Sequence, residues 1–192
     1  MQTLTWDDMI RRGAEHPASA MTIGVFDGVH RGHQVLIRKV TEQGFCPVVV
    51  TFMRNPKQAL APHSYAGNII SLDEKLRIFE RMGIQRTILI DFSGEFRHLK
   101  GREFIESLIY KGNLRFLVVG RNFRCGYRLD TDAQAVQHIT AEHGVGSEIV
   151  EPLMSGGERI SSSGIRAALR EGDYAKAAAF LGRDIANPHH PD

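Results

Sequence analysis

The chain has 192 residues, of which 42% are hydrophobic, 24% charged and 8% aromatic, with a formal net charge of +2 at pH 7. This composition is that of an ordinary globular protein, and the length suits one domain with a sizeable core. The small net charge argues against a surface built to attract nucleic acid or an anionic membrane. Two cysteines provide neither a disulfide framework nor metal-ligand spacing. Since no signal peptide or membrane-length apolar run is visible, we expect a cytoplasmic protein without a nucleic-acid or membrane partner, of undetermined oligomeric state.

Apolar runs rich in β-branched residues alternate with helical patterns along the chain. A short leading helix is predicted at Thr5–Arg12. The strands predicted after it are Met21–Phe26, Pro47–Met53, Arg86–Asp91, Arg115–Val119 and Gly146–Glu151. The interiors of the second, third and fourth of these runs are continuously apolar, as a parallel sheet covered on both faces requires.

Helix start and stop signals lie between these strands. Ser71 to Glu74 forms a capping box, and glycines follow most of the helical patterns. The helices are predicted from near Gln34 to near Gln43, from Ser71 to Gly83, and at Arg102–Lys111, Asp132–His143, Ser163–Glu171 and Tyr174–Leu181. The alternation predicts an α/β fold, a doubly wound, Rossmann-like parallel sheet of about five strands with helices on both faces. We expect a single domain at residues 1–184 and a C-terminal tail at residues 185–192.

The segment Gly24–His33, with the sequence Gly-Val-Phe-Asp-Gly-Val-His-Arg-Gly-His, joins the first of these strands to a helix. Backbone N–H groups of such a turn, together with the helix dipole, favour a bound phosphate. His30 and His33 add hydrogen-bond donors there, and Gly32 lets a phosphate approach the backbone closely. The His-x-Gly-His spacing is typical of nucleotidyltransferases, which act on the α-phosphate of a nucleoside triphosphate.

Further polar loops follow later strands, and ligands of such sheets bind beyond the carboxyl ends of the strands. These loops are Arg54–Lys57, Gly120–Arg128 and Ile160–Arg166. In the last one, three serines open a helix, where hydroxyls and free N–H groups can hold phosphate oxygens. Arg166 lies one turn further and can reach a leaving pyrophosphate. The alternative is that Ser161 or Ser162 is only an N-cap and Arg166 a solvated surface residue.

Taken together, these motifs resemble the FMN adenylyltransferase module of bacterial FAD synthetases. The similarity spans roughly residues 20–184, and the matching segments are Gly24–His33, Thr51-Phe52, Val118–Gly126 and Ile160–Arg166. The resemblance implies transfer of AMP from ATP to FMN, with FAD and pyrophosphate as products. The acceptor phosphate would attack the α-phosphorus in line, and Mg²⁺ would accompany the triphosphate on ligands that we do not predict.

The resemblance also implies roles for individual residues. The expected catalytic residues are His30, His33, Ser162 and Arg166. The residues expected to bind the nucleotide or the flavin are Gly24, Phe26, Asp27, Gly28, Gly32, Asn122, Arg124, Ser161 and Ser163.

Three features depart from the family pattern. Met53-Arg54-Asn55 replaces Glu-Pro-His before the retained Pro56, Cys125 replaces a phenylalanine, and we expect no riboflavin kinase domain, unless the chain is one domain of a longer protein. The first departure leaves open a nucleotidyltransferase for another phosphorylated acceptor. Together with the missing kinase, it also leaves open a non-catalytic module that binds a nucleotide or a flavin. A dinucleotide-binding oxidoreductase is disfavoured, because the first turn lacks Gly-x-Gly-x-x-Gly.

Overall fold

A computed structural model describes residues 1–92 and 94–184, so the predicted tail at residues 185–192 lies outside the described residues. The core of the fold is a six-stranded parallel sheet with the order β1-β4-β3-β2-β5-β8. Its strands are β1 (Gln2–Thr5), β2 (Ser19–Ile23), β3 (Cys46–Phe52), β4 (Arg86–Ile90), β5 (Leu114–Gly120) and β8 (Gly146–Val150). Short antiparallel pairs join β6 (Arg124–Cys125) to β7 (Thr131–Asp132), and β9 (Met154–Ser155) to β10 (Glu158–Arg159).

The helices connect these strands and cover both faces of the sheet. They are α1 (Trp6–Arg12), α2 (Arg31–Thr41), α3 (Pro56–Leu60), α4 (Leu72–Arg81), α5 (Gly101–Lys111), α6 (Ala133–Glu142), α7 (Ser162–Arg170) and α8 (Tyr174–Leu181). None of the helices within the described ranges is long and apolar enough to cross a membrane.

Alternate residues of β3 show that the sheet is buried on both sides. Val48 and Val50 belong to a core with residues of α1, α5 and α6, whereas Val49 belongs to a core with residues of α2 and α4. Since successive side chains of a strand point to opposite faces, one continuous apolar run serves two cores. The predicted doubly wound α/β fold is therefore confirmed. A third core joins α7 and α8.

The sheet has one strand more than the five that the sequence predicted. The additional strand, β1, pairs with β4 at the edge of the sheet and directly precedes α1, for which Thr5 is the N-cap. The predicted strand Met21–Phe26 also ends earlier, at Ile23, because the chain leaves the sheet for the turn that follows. The other predicted strands agree with the structure to within one residue at each end.

The strand order places the switch point of the sheet between β2 and β5. The chain runs from β2 through β3 to β4 on one side, and then crosses to β5 on the other side. Crevices at such points, beyond the carboxyl ends of the strands, are where doubly wound sheets bind ligands. The histidine-containing turn after β2 and the loop after β5 both lie at this crevice.

Candidate active site

The turn after β2 has a strained backbone. Phe26 and Val29 adopt φ angles of 52° and 41°, and Gly28 adopts a φ of 83°. Positive φ is unfavourable for bulky or β-branched residues, and such strain persists only where the surroundings over-determine the conformation. Only glycine adopts the geometry at position 28 freely, and a Cβ there would also lie 3.1 Å from Ile69 Cδ1.

Side chains from α2, α4, α7 and the segment after α8 hold the carbonyl groups of this turn. Lys75 Nζ donates to Val25 O at 3.1 Å, and Ser162 Oγ donates to Asp27 O at 2.8 Å. Two further donors are Arg183 Nη2 to Gly28 O at 2.7 Å and Gln34 Nε2 to Val29 O at 3.0 Å. In a trans peptide, the C=O of one residue and the N–H of the next residue point in opposite directions. Contacts that hold these carbonyl groups therefore also orient the N–H groups of the following residues. Within the described residues, the N–H groups of Phe26 and Asp27, which both line the cleft, have no acceptor, and adjacent free N–H groups of this kind favour a bound anion.

His30 and His33 form a stacked pair at the start of α2. Their ring centroids lie 3.5 Å apart with an interplanar angle of 16°. His30 is the N-cap of α2, and its Nδ1 accepts from the His33 N–H at 3.3 Å. Because Nδ1 accepts in this bond, the proton of a neutral His30 lies on Nε2.

Burial keeps both imidazoles neutral. It lowers the pKa of His30 to about 4, and the charge of Arg159 acts in the same direction. Burial lowers the pKa of His33 well below its usual value, with further contributions from His30 and Lys75. Two neutral rings stack without charge repulsion and can each offer one N–H to a phosphate oxygen.

The glycines of the motif make room for these rings. A Cβ on Gly32 would lie 3.2 Å from the ring of His30, and a Cβ on Gly24 would lie 3.2 Å from the ring of Phe26. Phe26 is fully buried, in edge-to-face contact with His33 at 5.0 Å between centroids. The packing of aromatic rings therefore favours glycine at positions 24 and 32, in addition to the close phosphate approach that the sequence suggested for Gly32.

A buried ion pair joins the turn to α7. Arg166 Nη2 pairs with Asp27 Oδ2, and Arg166 Nε donates to Gly67 O at 3.1 Å. The other carboxylate oxygen of Asp27 accepts from the Ile69 N–H at 2.8 Å. The Arg166 side chain is 18% exposed, so it is not a solvated surface residue. Ser161 is the N-cap of α7, with its Oγ accepting from the Gly164 N–H at 3.1 Å.

These elements enclose a cleft of about 410 Å³. The residues predicted for the site that line it are Gly24, Phe26, Asp27, His30, Gly32, His33, Asn122, Ser161, Ser162, Ser163 and Arg166. Gly28 instead supports the turn from behind. Arg124 lines two neighbouring pockets rather than this cleft.

An apolar cavity of about 520 Å³ adjoins the cleft. The aromatic residues in its wall are Phe52, Phe92, Phe96, Phe104, Phe123 and Tyr127. The residues that line both spaces are Ile23, Gly24, Val25, Pro56, Asn122 and Phe123. Cys125 also lines the cavity, and burial raises the pKa of its thiol to about 12, so it is a neutral wall group.

Residues 13–164 match the family described as FAD synthetase. The chain belongs to the FAD synthetase family. Its similarity to the bifunctional riboflavin kinase/FMN adenylyltransferase of Escherichia coli is 33% identity over 178 residues, which is 90% of this chain and 57% of that protein. The FAD synthetase of Listeria monocytogenes is 28% identical over 169 residues, covering 86% of this chain and 69% of that protein. The chain thus spans little more than half the length of the bifunctional relatives.

Solved structures share the fold of this FAD synthetase family member. A protein from Streptococcus pneumoniae described as a macrolide-efflux protein superposes with a TM-score of 0.82 and 29% identity, covering 95% of this chain and 62% of that one. Pantoate-beta-alanine ligase from Francisella tularensis gives a TM-score of 0.62 at 13% identity, with 97% of this chain and 82% of that chain covered, and shows the fold alone.

Sequence reasoning missed three basic residues of this site. Arg159 lines the cleft near His30, Arg183 supports the turn, and Lys75 lies buried beneath it. A signal for Lys75 was present, since it lies three and four residues before the core residues Ile78 and Phe79 of α4. That spacing places a lysine on the buried face of the helix.

Proposed function

We propose that this chain transfers AMP from ATP to FMN, giving FAD and pyrophosphate. The observation that carries this proposal is the polar cleft joined to an aromatic cavity through Gly24, Val25, Asn122 and Phe123. One space suits a polyphosphate and the other a flat apolar ring system, and the product FAD contains both. Membership of the FAD synthetase family supports the same reaction.

The cleft would bind the triphosphate of ATP. Free N–H groups of the turn and the starts of α2 and α7 favour anions at this point. His30 and His33 would donate to phosphate oxygens as neutral imidazoles. Arg159 adds positive charge at the rim, and Arg166 retains N–H groups beyond those bound to Asp27, Gly67 and Ser162.

The aromatic cavity would hold the isoalloxazine ring of FMN. Aromatic contacts of this kind contribute about 0.5–1.5 kcal/mol each beyond the burial of apolar area. With the ring in the cavity, the FMN phosphate would extend past Asn122 and Phe123 into the cleft, towards the α-phosphate of ATP. The cavity thus supplies acceptor specificity, and the cleft supplies the chemistry.

An FMN phosphate oxygen would attack the α-phosphorus in line as the bond to the α–β bridging oxygen breaks and pyrophosphate leaves. The attacking group is already an anion, so no general base is required. The residues act by positioning the two phosphates and by stabilising the charge on the transferring group. Hydrogen bonds from His30 and His33 would strengthen as this charge develops.

The described residues suit an Mg²⁺ ion that binds together with the nucleotide and is not held by the protein alone. Among them, no cluster of three His, Cys, Asp or Glu side chains could hold a metal ion. Asp27 is held in a buried pair with Arg166, whereas Glu151, whose ion pair with Arg121 is exposed, is the cleft carboxylate that could approach the ion. Mg²⁺ commonly binds through substrate phosphates and one or two carboxylates, and it would neutralise charge on the leaving pyrophosphate.

Incubation with ATP, Mg²⁺ and FMN, with FAD followed by chromatography and riboflavin as a parallel substrate, tests this proposal. We expect FAD from FMN and none from riboflavin. His33→Ala should lower turnover roughly 10²–10³-fold, the range for loss of one donor to a developing oxyanion. His138→Ala, which removes an exposed histidine of α6, should leave turnover unchanged. ATP binding without FAD formation would refute FMN as the acceptor, and a panel of other phosphorylated acceptors would then follow.

The single-domain organisation and the cytoplasmic location remain predictions from the sequence.

A further inference from the structure

Lys75 is a buried lysine that the proposed chemistry does not use. It lies in the first half of α4 and is 8% exposed. Its Nζ donates to Val25 O at 3.1 Å and lies 3.5 Å from Thr51 Oγ1. Thr51 Oγ1 itself donates to Val25 O at 3.2 Å, so the carbonyl already has one donor without the lysine. The fold therefore does not need Lys75 to satisfy this carbonyl.

The charges around Lys75 are not balanced by the protein. The titratable groups that act on it are the Asp27 carboxylate of the turn and the His33 ring of α2, while β3 contributes the neutral Thr51. Asp27 is already paired with Arg166, so one carboxylate faces two cations. A buried positive charge without a matching negative charge lowers the free energy of unfolding unless an anion binds nearby. A phosphate bound in the turn above would supply that anion.

The peptide plane between Val25 and Phe26 connects Lys75 to the cleft. Its carbonyl points to Nζ, so the Phe26 N–H points the other way, and both residues line the cleft. Lys75 therefore acts on the cleft in two ways, by orienting this peptide and by placing a positive charge behind it. The same charge disfavours protonation of His33, which holds that ring in the form with one donor and no charge.

We propose that Lys75 is a positioning residue for the nucleotide: from behind the turn it orients the Phe26 N–H and supplies the charge that balances a bound triphosphate. The inference rests on the proposed function only for the identity of that anion. Lys75 touches neither substrate nor reacting atoms in this role. It follows that its removal should weaken ATP binding while leaving the fold intact or more stable, since an apolar group in place of a buried charge is often stabilising.

The test compares wild type with Lys75→Met and Lys75→Gln, and uses Arg77→Gln, an exposed cation two residues further along α4, as the matched control. MgATP affinity is measured by calorimetry without FMN, and the unfolding temperature by circular dichroism. We expect Lys75→Met to weaken ATP binding roughly ten- to a hundred-fold, the range for groups that orient a ligand-holding group from behind. Its unfolding temperature should be unchanged or raised. Lys75→Gln, which can still donate to Val25 O, should lose less affinity, and Arg77→Gln should match wild type.

The pH dependence of ATP binding gives a second readout that a merely structural role would not change. Burial lowers the pKa of Lys75 to about 8, against the attraction of Asp27. Wild-type affinity should therefore fall above about pH 8, by up to about tenfold per pH unit, because the free protein then loses the proton that binding requires. Lys75→Met should not show this decline.

Three outcomes would overturn the role of Lys75. These are unchanged ATP affinity in Lys75→Met, an alkaline decline that persists in that variant, and a loss of affinity that only accompanies unfolding. A wild-type protein that binds ATP with the alkaline decline but forms no FAD would refute the proposed acceptor and support the role of Lys75. A wild-type protein that binds no ATP would refute both.

Discussion

Acid should destabilise this protein through His30, and the size of the effect follows from the structure. The residue is 7% exposed, and burial lowers its pKa from 6.5 to about 4. The unfolded chain therefore takes up a proton below pH 6.5 that the native state refuses until about pH 4. The contribution of the neutral His30 to the free energy of unfolding is fully present above the pKa of 6.5 in the unfolded chain. It is lost as the pH falls from 6.5 to about 4. The whole shift corresponds to about 3 kcal/mol, of which about 2 kcal/mol is lost by about pH 5.

The variant His30→Asn isolates this contribution. Asparagine is a good N-cap, so α2 keeps its first hydrogen bond while the titrating ring is removed. Urea unfolding at about pH 7.5 and about pH 5 would give the free energies of unfolding by linear extrapolation. We expect the wild type to lose about 2 kcal/mol more than His30→Asn between the two pH values. His138→Asn, at an exposed position, should behave as wild type. An equally steep loss in His30→Asn would refute a buried, neutral His30.

Three further variants test the buried ion pair and the cavity proposed for the acceptor. Arg166→Ala leaves the Asp27 carboxylate buried without its partner, so we expect a loss of about 3 kcal/mol in urea unfolding as well as lost turnover. Lys176→Ala, which breaks an exposed ion pair, should leave the free energy of unfolding close to that of wild type, and a loss equal to that of Arg166→Ala would contradict the importance of burial. Cys125→Trp fills part of the aromatic cavity and should raise the KM for FMN at least about tenfold with an unchanged KM for ATP. A raised KM for ATP alone would place the acceptor elsewhere.

Elements with local signals were predicted well. The bounds of α8 agree with Tyr174–Leu181, because Asp173 caps its start and Gly182 adopts the left-handed conformation at its end. The buried strands were recognised because a continuous apolar run reflects burial on both faces. The edge strand β1 was not predicted, because only Leu4 of its four residues is buried and its partner β4 lies far along the chain. Pairing at such a distance has no local signature.

By itself, the sequence determined the order of five of the six strands of the sheet, of every helix except α3, and of the four polar loops between them. It also placed the histidines and the serine-capped helix start, because periodicity, capping and glycine placement act over a few neighbouring residues. The tertiary structure decided which of these side chains are free to meet a ligand. It turned Arg166 towards Asp27, 139 residues away, and buried Lys75 beneath the turn. The tertiary structure also determined the protonation states of His30 and His33. A pKa depends on the solvent and the charges around a group, and only the folded chain assembles these surroundings.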